Sequence, residues 1–128
     1  MHKKTIIIVL SILAFCFNSY AANREEVKRT YYFDGKIKSE IPYKEGRISG
    51  IVKHYYETGD LKQKIPYVKG QKNGVAVEYW DTESVRIEVP YTNNRKDGIE
   101  KRYDIEGNLI KEIIWKSGMK DRVKNYNF

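Results

Sequence analysis

A single step of 24 residues runs through this chain without a gap. "IPYKEGRISG" at 41–50 returns as "IPYVKGQKNG" at 65–74 and "VPYTNNRKDG" at 89–98, and a worn copy, "IIWKSGMKDR", lies at 113–122. The same step carries Tyr31 to Tyr55, Tyr79 and Tyr103, and Tyr43 to Tyr67, Tyr91 and Trp115. It carries Ile41 to Ile65, Val89 and Ile113. A period of this size marks one supersecondary unit stacked on copies of itself, because no single copy buries its own apolar side. The repeats fall at about 27–50, 51–74, 75–98 and 99–122.

Each unit reads as two strands. β-branched and aromatic residues are dense, turn residues punctuate them, and no segment after Ala22 sustains a helical period. The sequence predicts an all-β fold, a single twisted and elongated antiparallel meander of about nine strands built from stacked β-hairpins. Short turns are "FDGK", "ETGD", "DTES" and "IEGN"; longer turns are the Y-x-x-G-x-x-x-G segments.

Residue parity predicts a register. A three-residue loop ending in Gly35, Gly59 or Gly107 pairs odd with odd numbers, setting Tyr55 opposite Leu61, Ile51 opposite Ile65, and Val77 opposite Ile87. The odd-numbered apolar residues then share one face, which must curl, pair with a second copy as a homodimer, or take a partner. Glu83 replaces the loop glycine in the third repeat, so that loop is expected to be irregular. Pro42 has no amide hydrogen, so its strand should bend or stop pairing near its end.

The first residues have another character. A basic start (His2, Lys3, Lys4), an apolar run from Ile6 to Phe17 and a small-residue exit, "SYAAN", form a secretory signal pattern. Cleavage is expected after Ala21, leaving residues 22–128 as one repeat domain, exported to a periplasmic or secreted location. A lipoprotein signal would use Cys16, but Phe15 sits where that signal wants a small residue. Without Cys16 no cysteine remains, so packing and hydrogen bonds must hold the fold.

Chemistry-bearing clusters are few. His54 is the one histidine besides His2, and zinc wants several His or Cys ligands at short spacing, so no metal is expected. Ser39, Ser49, Ser84 and Ser117 are scattered and none sits in a nucleophile elbow, so no catalytic residue and no cofactor are expected.

Charge is more informative. Short turns gather acid, including Asp34, Asp60 and Asp104, while long turns gather base: Lys44, Arg47, Lys69, Lys72, Arg95, Lys96, Lys116 and Lys120. In a meander the two turn sets form opposite edges. The basic edge serves solubility and blocks edge-to-edge pairing, or it forms a rail for an acidic protein or anionic lipid. The even face carries Tyr32, Tyr56 and Trp80 in one row and Thr30, His54, Glu78 and Arg102 in the next, with Glu78 placed to meet Arg86. Tyr32, His54, Tyr56, Trp80 and Arg102 are candidate partner-binding residues. Basic charge beside aromatics also suits single-stranded nucleic acid, which an exported chain rarely meets, so no nucleic-acid partner is expected.

The segments "YKEGRISG", "YVKGQKNG", "YTNNRKDG" and "WKSGMKDR", with the preceding "DGKIKSEIPY" and "TGDLKQKIPY", resemble the MORN repeat, most of all the variant MORN repeats of bacteria. The resemblance covers about residues 28–122. It implies a stack of β-hairpins in one elongated sheet and a role in binding proteins or membranes, antitoxin- or immunity-like in the bacterial variants, with no catalytic residues. Asn94 and Arg122 stand where the pattern has glycine. The expected function is a non-catalytic exported scaffold that binds another protein. The alternatives are peripheral binding to anionic membrane lipid through the basic edge, and a cell-wall or glycan-binding module.

Overall fold

The computed structural model describes residues 24–127. The expected signal sequence, its cleavage point and Cys16 lie outside them. Strands occupy Glu25–Tyr31 (β1), Ile37–Lys44 (β2), Arg47–Ile48 (β3), Gly50–Tyr55 (β4), Leu61–Val68 (β5), Gln71–Lys72 (β6), Gly74–Tyr79 (β7), Val85–Thr92 (β8), Arg95–Lys96 (β9), Gly98–Tyr103 (β10), Leu109–Lys116 (β11) and Met119–Asn125 (β12). They form one antiparallel sheet in the order β1-β2-β4-β5-β7-β8-β10-β11-β12. Those are the nine strands of the expected meander. The two-residue strands β3, β6 and β9 pair back onto β2, β5 and β8.

The register differs from the parity argument. Tyr55 does face Leu61, but a β-bulge between His54 and Tyr55 shifts the rest of the hairpin. Val52 therefore faces Ile65, and Ile51 faces Pro66. Likewise Val77 faces Glu88 and Ile87 faces Glu78, so the expected Val77–Ile87 pair does not form. A one-residue shift moves side chains to the other face. The odd-numbered apolar set is thus divided: Ile65 and Tyr67 share a face with Val52, while Ile51 and Tyr55 point the opposite way.

The third short turn is regular. Glu83 adopts φ 65°, in the left-handed region where Gly35, Gly59 and Gly107 sit, and its amide reaches the Trp80 carbonyl at 3.1 Å. Hairpin geometry overrides the local preference of a non-glycine residue.

The longer segments are compound. Glu45 and Gly46 both have positive φ, as do Asn93 and Asn94, which makes each a two-residue type I′ turn. After the tight turn the returning strand breaks at Ser49, Asn73 or Asp97 and resumes at Gly50, Gly74 or Gly98, each near φ 115°. Pro42 explains the break. The β2–β4 ladder runs through Ser39–His54 and Glu40–Lys53 and then gives way, as the missing donor requires. The Pro42 carbonyl instead accepts the Ser49 amide at 3.0 Å.

The last hairpin slips by one residue. Between Tyr91–Lys96 and Glu88–Lys101 the returning strand carries two extra residues. Between Trp115–Lys120 and Glu112–Lys124 it carries only one, because Arg122 replaces the glycine that permits the wider bulge. The sequence compensates. Tyr126, one residue ahead of the 24-residue step, donates to Glu112 at 2.7 Å, as Tyr55 does to Glu40 and Tyr103 to Glu88.

The main buried cluster lies on one face, while Val77 is buried on the other beside Val75. Val52, Ile65 and Ala76 form that cluster, with Ile41, Ile48, Tyr67 and Tyr91 packed against them. With a single layer, this cover comes from large neighbours on the same face rather than from a second sheet. The opposite, outer face presents Val27, Ile51, Val75 and Ile99.

Candidate functional site

The aromatic row of the expected binding surface doubles as a set of inter-repeat ties. The Tyr32 hydroxyl donates to the Tyr55 carbonyl at 2.6 Å, and the Tyr56 hydroxyl to the Tyr79 carbonyl at 2.7 Å. Each ring lies beneath a cation: Lys38 5.6 Å from the Tyr32 centroid, Lys62 5.4 Å from Tyr56 and Arg86 4.4 Å from Trp80. The Trp80 Nε1 is buried and finds no hydrogen-bond partner among the described residues. Arg86 also meets Glu78 at 3.0 Å, as the sequence suggested.

His54 and Arg102 stand in one row that runs Ser39, His54, Gln63, Glu78, Ile87, Arg102 across the sheet. Four strand spacings, about 19 Å, separate the two. They do not converge on a point. Partial burial, with Lys62 nearby, holds the His54 imidazole below its ordinary pKa. Arg102 is committed to Glu100, with Nε at 2.9 Å and Nη2 at 2.8 Å.

Glu100 went unnoticed in the sequence. It occupies the row of Val52 and Ala76 yet is only 1% exposed. Lys96 approaches one carboxylate oxygen at 2.8 Å and Trp115 Nε1 donates to the same oxygen at 2.9 Å, while Arg102 holds the other. Burial pushes this carboxyl up, but the hydrogen bonds from Lys96 and Arg102 outweigh it and the net shift is downward. The usable signal was an acid at a position that other repeats fill with Val52 and Ala76. No metal cluster of three or more His, Cys, Asp or Glu forms among the described residues.

The expected basic edge divides into engaged and open cations. Lys44 pairs with Glu25 at 2.9 Å, Lys96 with Glu100 at 2.8 Å and Lys116 with Asp121 at 3.2 Å. Lys72 lies 5.1 Å from the Tyr91 ring centroid. Arg47, Lys69, Arg95 and Lys120 make no salt bridge among the described residues. The turns that bear them are stitched together: Gly70 donates to the Ile48 carbonyl, Asn94 to Lys72 and Gly118 to Lys96, at 2.7, 3.0 and 2.8 Å. The edge is therefore a continuous ladder at the repeat spacing.

The stacked hairpins of residues 27–45 and 48–69 match the model of the MORN repeat variant. These segments are MORN repeats. The same 24-residue step runs on through the third and fourth hairpins. No curated protein and no solved structure matches the chain. MORN repeats point to a repeat-based binding scaffold, and a linear surface of repeated rows suits that role better than any single cleft here.

Proposed function

We propose that this chain is a non-catalytic exported scaffold that binds another protein, in an antitoxin- or immunity-like manner. One observation carries the reading. The sheet is a single open layer, and Val27, Ile51, Val75 and Ile99 on its outer face are each about half exposed. Repeated apolar side chains left at the surface mark a contact site. Tyr32, His54, Tyr56, Trp80 and Arg102 supply a second set of contacts on the core face. Export rests on the secretory signal pattern read in the sequence of residues 1–21. The test is affinity capture from envelope extracts at native expression. A stoichiometric protein partner is the expected result, and its absence would reject the proposal.

A second reading rests on the open cations of the turn edge. Arg47, Lys69, Arg95 and Lys120 would hold the chain against an anionic membrane surface. Flotation with anionic liposomes, abolished by reversing these four charges, supports it; no flotation of the native chain removes it. A glycan-binding role finds less support, since cations already occupy faces of the Tyr32, Tyr56 and Trp80 rings.

A further inference from the structure

The outer face carries an apolar stripe across eight strands. Val27 pairs with Pro42, Ile51 with Pro66, Val75 with Pro90 and Ile99 with Ile114, so each pair lies side by side on that face. The aliphatic members are 48, 50, 50 and 46% exposed. Eight strands at about 4.8 Å make a stripe of roughly 34 Å. It is about one residue wide along each strand, well short of the roughly 800 Å² per partner of a stable dimer.

Both flanks carry an excess of cations. Toward the short turns lies a mixed row in which Arg29, Lys53, Lys64, Lys101 and Lys124 outnumber the carboxylates Glu40, Glu88 and Glu112, which accept hydrogen bonds from Tyr55, Tyr103 and Tyr126. Toward the long turns lie Arg47 and Arg95. An apolar line between borders of net positive charge complements an apolar line between carboxylates.

Backbone chemistry selects the conformation of the ligand. The backbone N–H and C=O groups of a sheet point in its plane toward neighbouring strands, so an extended peptide lying across the face would find few backbone partners. A helix satisfies its own. The aliphatic residues recur every second strand, about 9.6 Å, close to the roughly 10.5 Å between residues i and i+7 of a helix. A stripe of roughly 34 Å accommodates about 22 helical residues.

We infer that the stripe through Ile51 and Val75 is the docking site for an acidic amphipathic helix of a partner protein, laid across the strands. This rests on the protein-binding reading above and makes it specific. The probe is a synthetic 22-residue helix with leucines at i, i+3, i+4 and i+7 and glutamates on both flanks, followed by fluorescence anisotropy with the full chain freed of its leader. The acidic probe should bind and its lysine-flanked counterpart should not. Binding should weaken at least tenfold in Ile51→Ser/Val75→Ser, and similarly in Lys53→Glu/Lys101→Glu, whose exposed or half-exposed positions leave folding intact by circular dichroism. No binding of the acidic probe, or binding unchanged by either double variant, overturns the inference. Sedimentation showing a dimer that Ile51→Ser/Val75→Ser dissociates also overturns it, in favour of a second copy. A captured native partner that crosslinks only to the core face leaves the scaffold reading standing and sinks this one; the absence of any captured partner rejects the scaffold reading itself.

Discussion

The ring of Pro66 occupies the space beside Gly74 where a side chain would begin: a Cβ there would lie 2.9 Å from Pro66 Cγ. The same relation links Pro42 to Gly50 at 3.1 Å and Pro90 to Gly98 at 3.0 Å. In the last repeat both members change together, to Ile114 and Arg122. The proline withholds a ladder donor, the strand bulges, and glycine supplies both the positive φ and the room.

Gly74→Ala should therefore destabilise the chain by about 1–3 kcal/mol, since strained φ and a close contact act together. Adding Pro66→Ile should recover part of that loss by removing the ring. Urea denaturation of the two single variants and the double variant measures the coupling; strictly additive losses would refute the pairing.

Glu83 is held at φ 65° where three other short turns use glycine. Glu83→Gly should stabilise by about 0.5–1 kcal/mol, the relief of left-handed strain less the added freedom of the unfolded chain. A raised urea midpoint with an unchanged slope is the expected readout.

Removal of the cation and removal of the acid should differ at Glu100. Lys96 and Arg102 are 30% and 43% exposed, so they regain water when the acid goes, and Glu100→Val should cost about 1 kcal/mol or less. Arg102→Met leaves a buried carboxylate short of donors and should cost about 2 kcal/mol, less than the roughly 3–5 kcal/mol of breaking a fully buried pair, because Lys96 and Trp115 remain. Equal losses in the two variants would contradict this.

The acid limb should change with it. The folded Glu100 carboxyl sits below its ordinary pKa, so its contribution is present above the unfolded value and is lost as pH falls through the folded one. His54 also sits low. The unfolded imidazole then takes up a proton first, and stability falls as pH drops below about 6.5. In Glu100→Val the fall below about pH 4.5 should be shallower, and in His54→Gln the part beginning near 6.5 should vanish, both read from melting temperature against pH.

At alkaline pH the tyrosine ties dominate. Burial first, then the hydrogen bond to Glu88, pushes the Tyr103 hydroxyl up to about 12. A raised acid pKa means the unfolded chain ionises first, so stability falls once pH exceeds about 10. Absorbance titration of tyrosinate should show a late step near pH 12 that Tyr103→Phe removes.

The repeat step, the all-β hairpin meander, the nine long strands and the Glu78–Arg86 pair were legible in the sequence because each depends on local pattern repeated in register. The faces were not. Parity counting has no means of seeing a bulge, and the bulge between His54 and Tyr55 exchanges the faces on which Ile51 and Val52 lie. Glu100 was hidden for a related reason: a carboxylate among apolar repeat positions looks solvated until Lys96, Arg102 and Trp115 are seen around it. Tyr126 was hidden too, since its place follows from a one-residue slip at Arg122 rather than from the step itself. The sequence by itself determined a stack of four hairpin units, with the proline and glycine positions that punctuate them. Only the tertiary structure decided which side chains are buried and which form the exposed stripe, because side-chain direction in a strand alternates with every residue and each bulge resets the alternation.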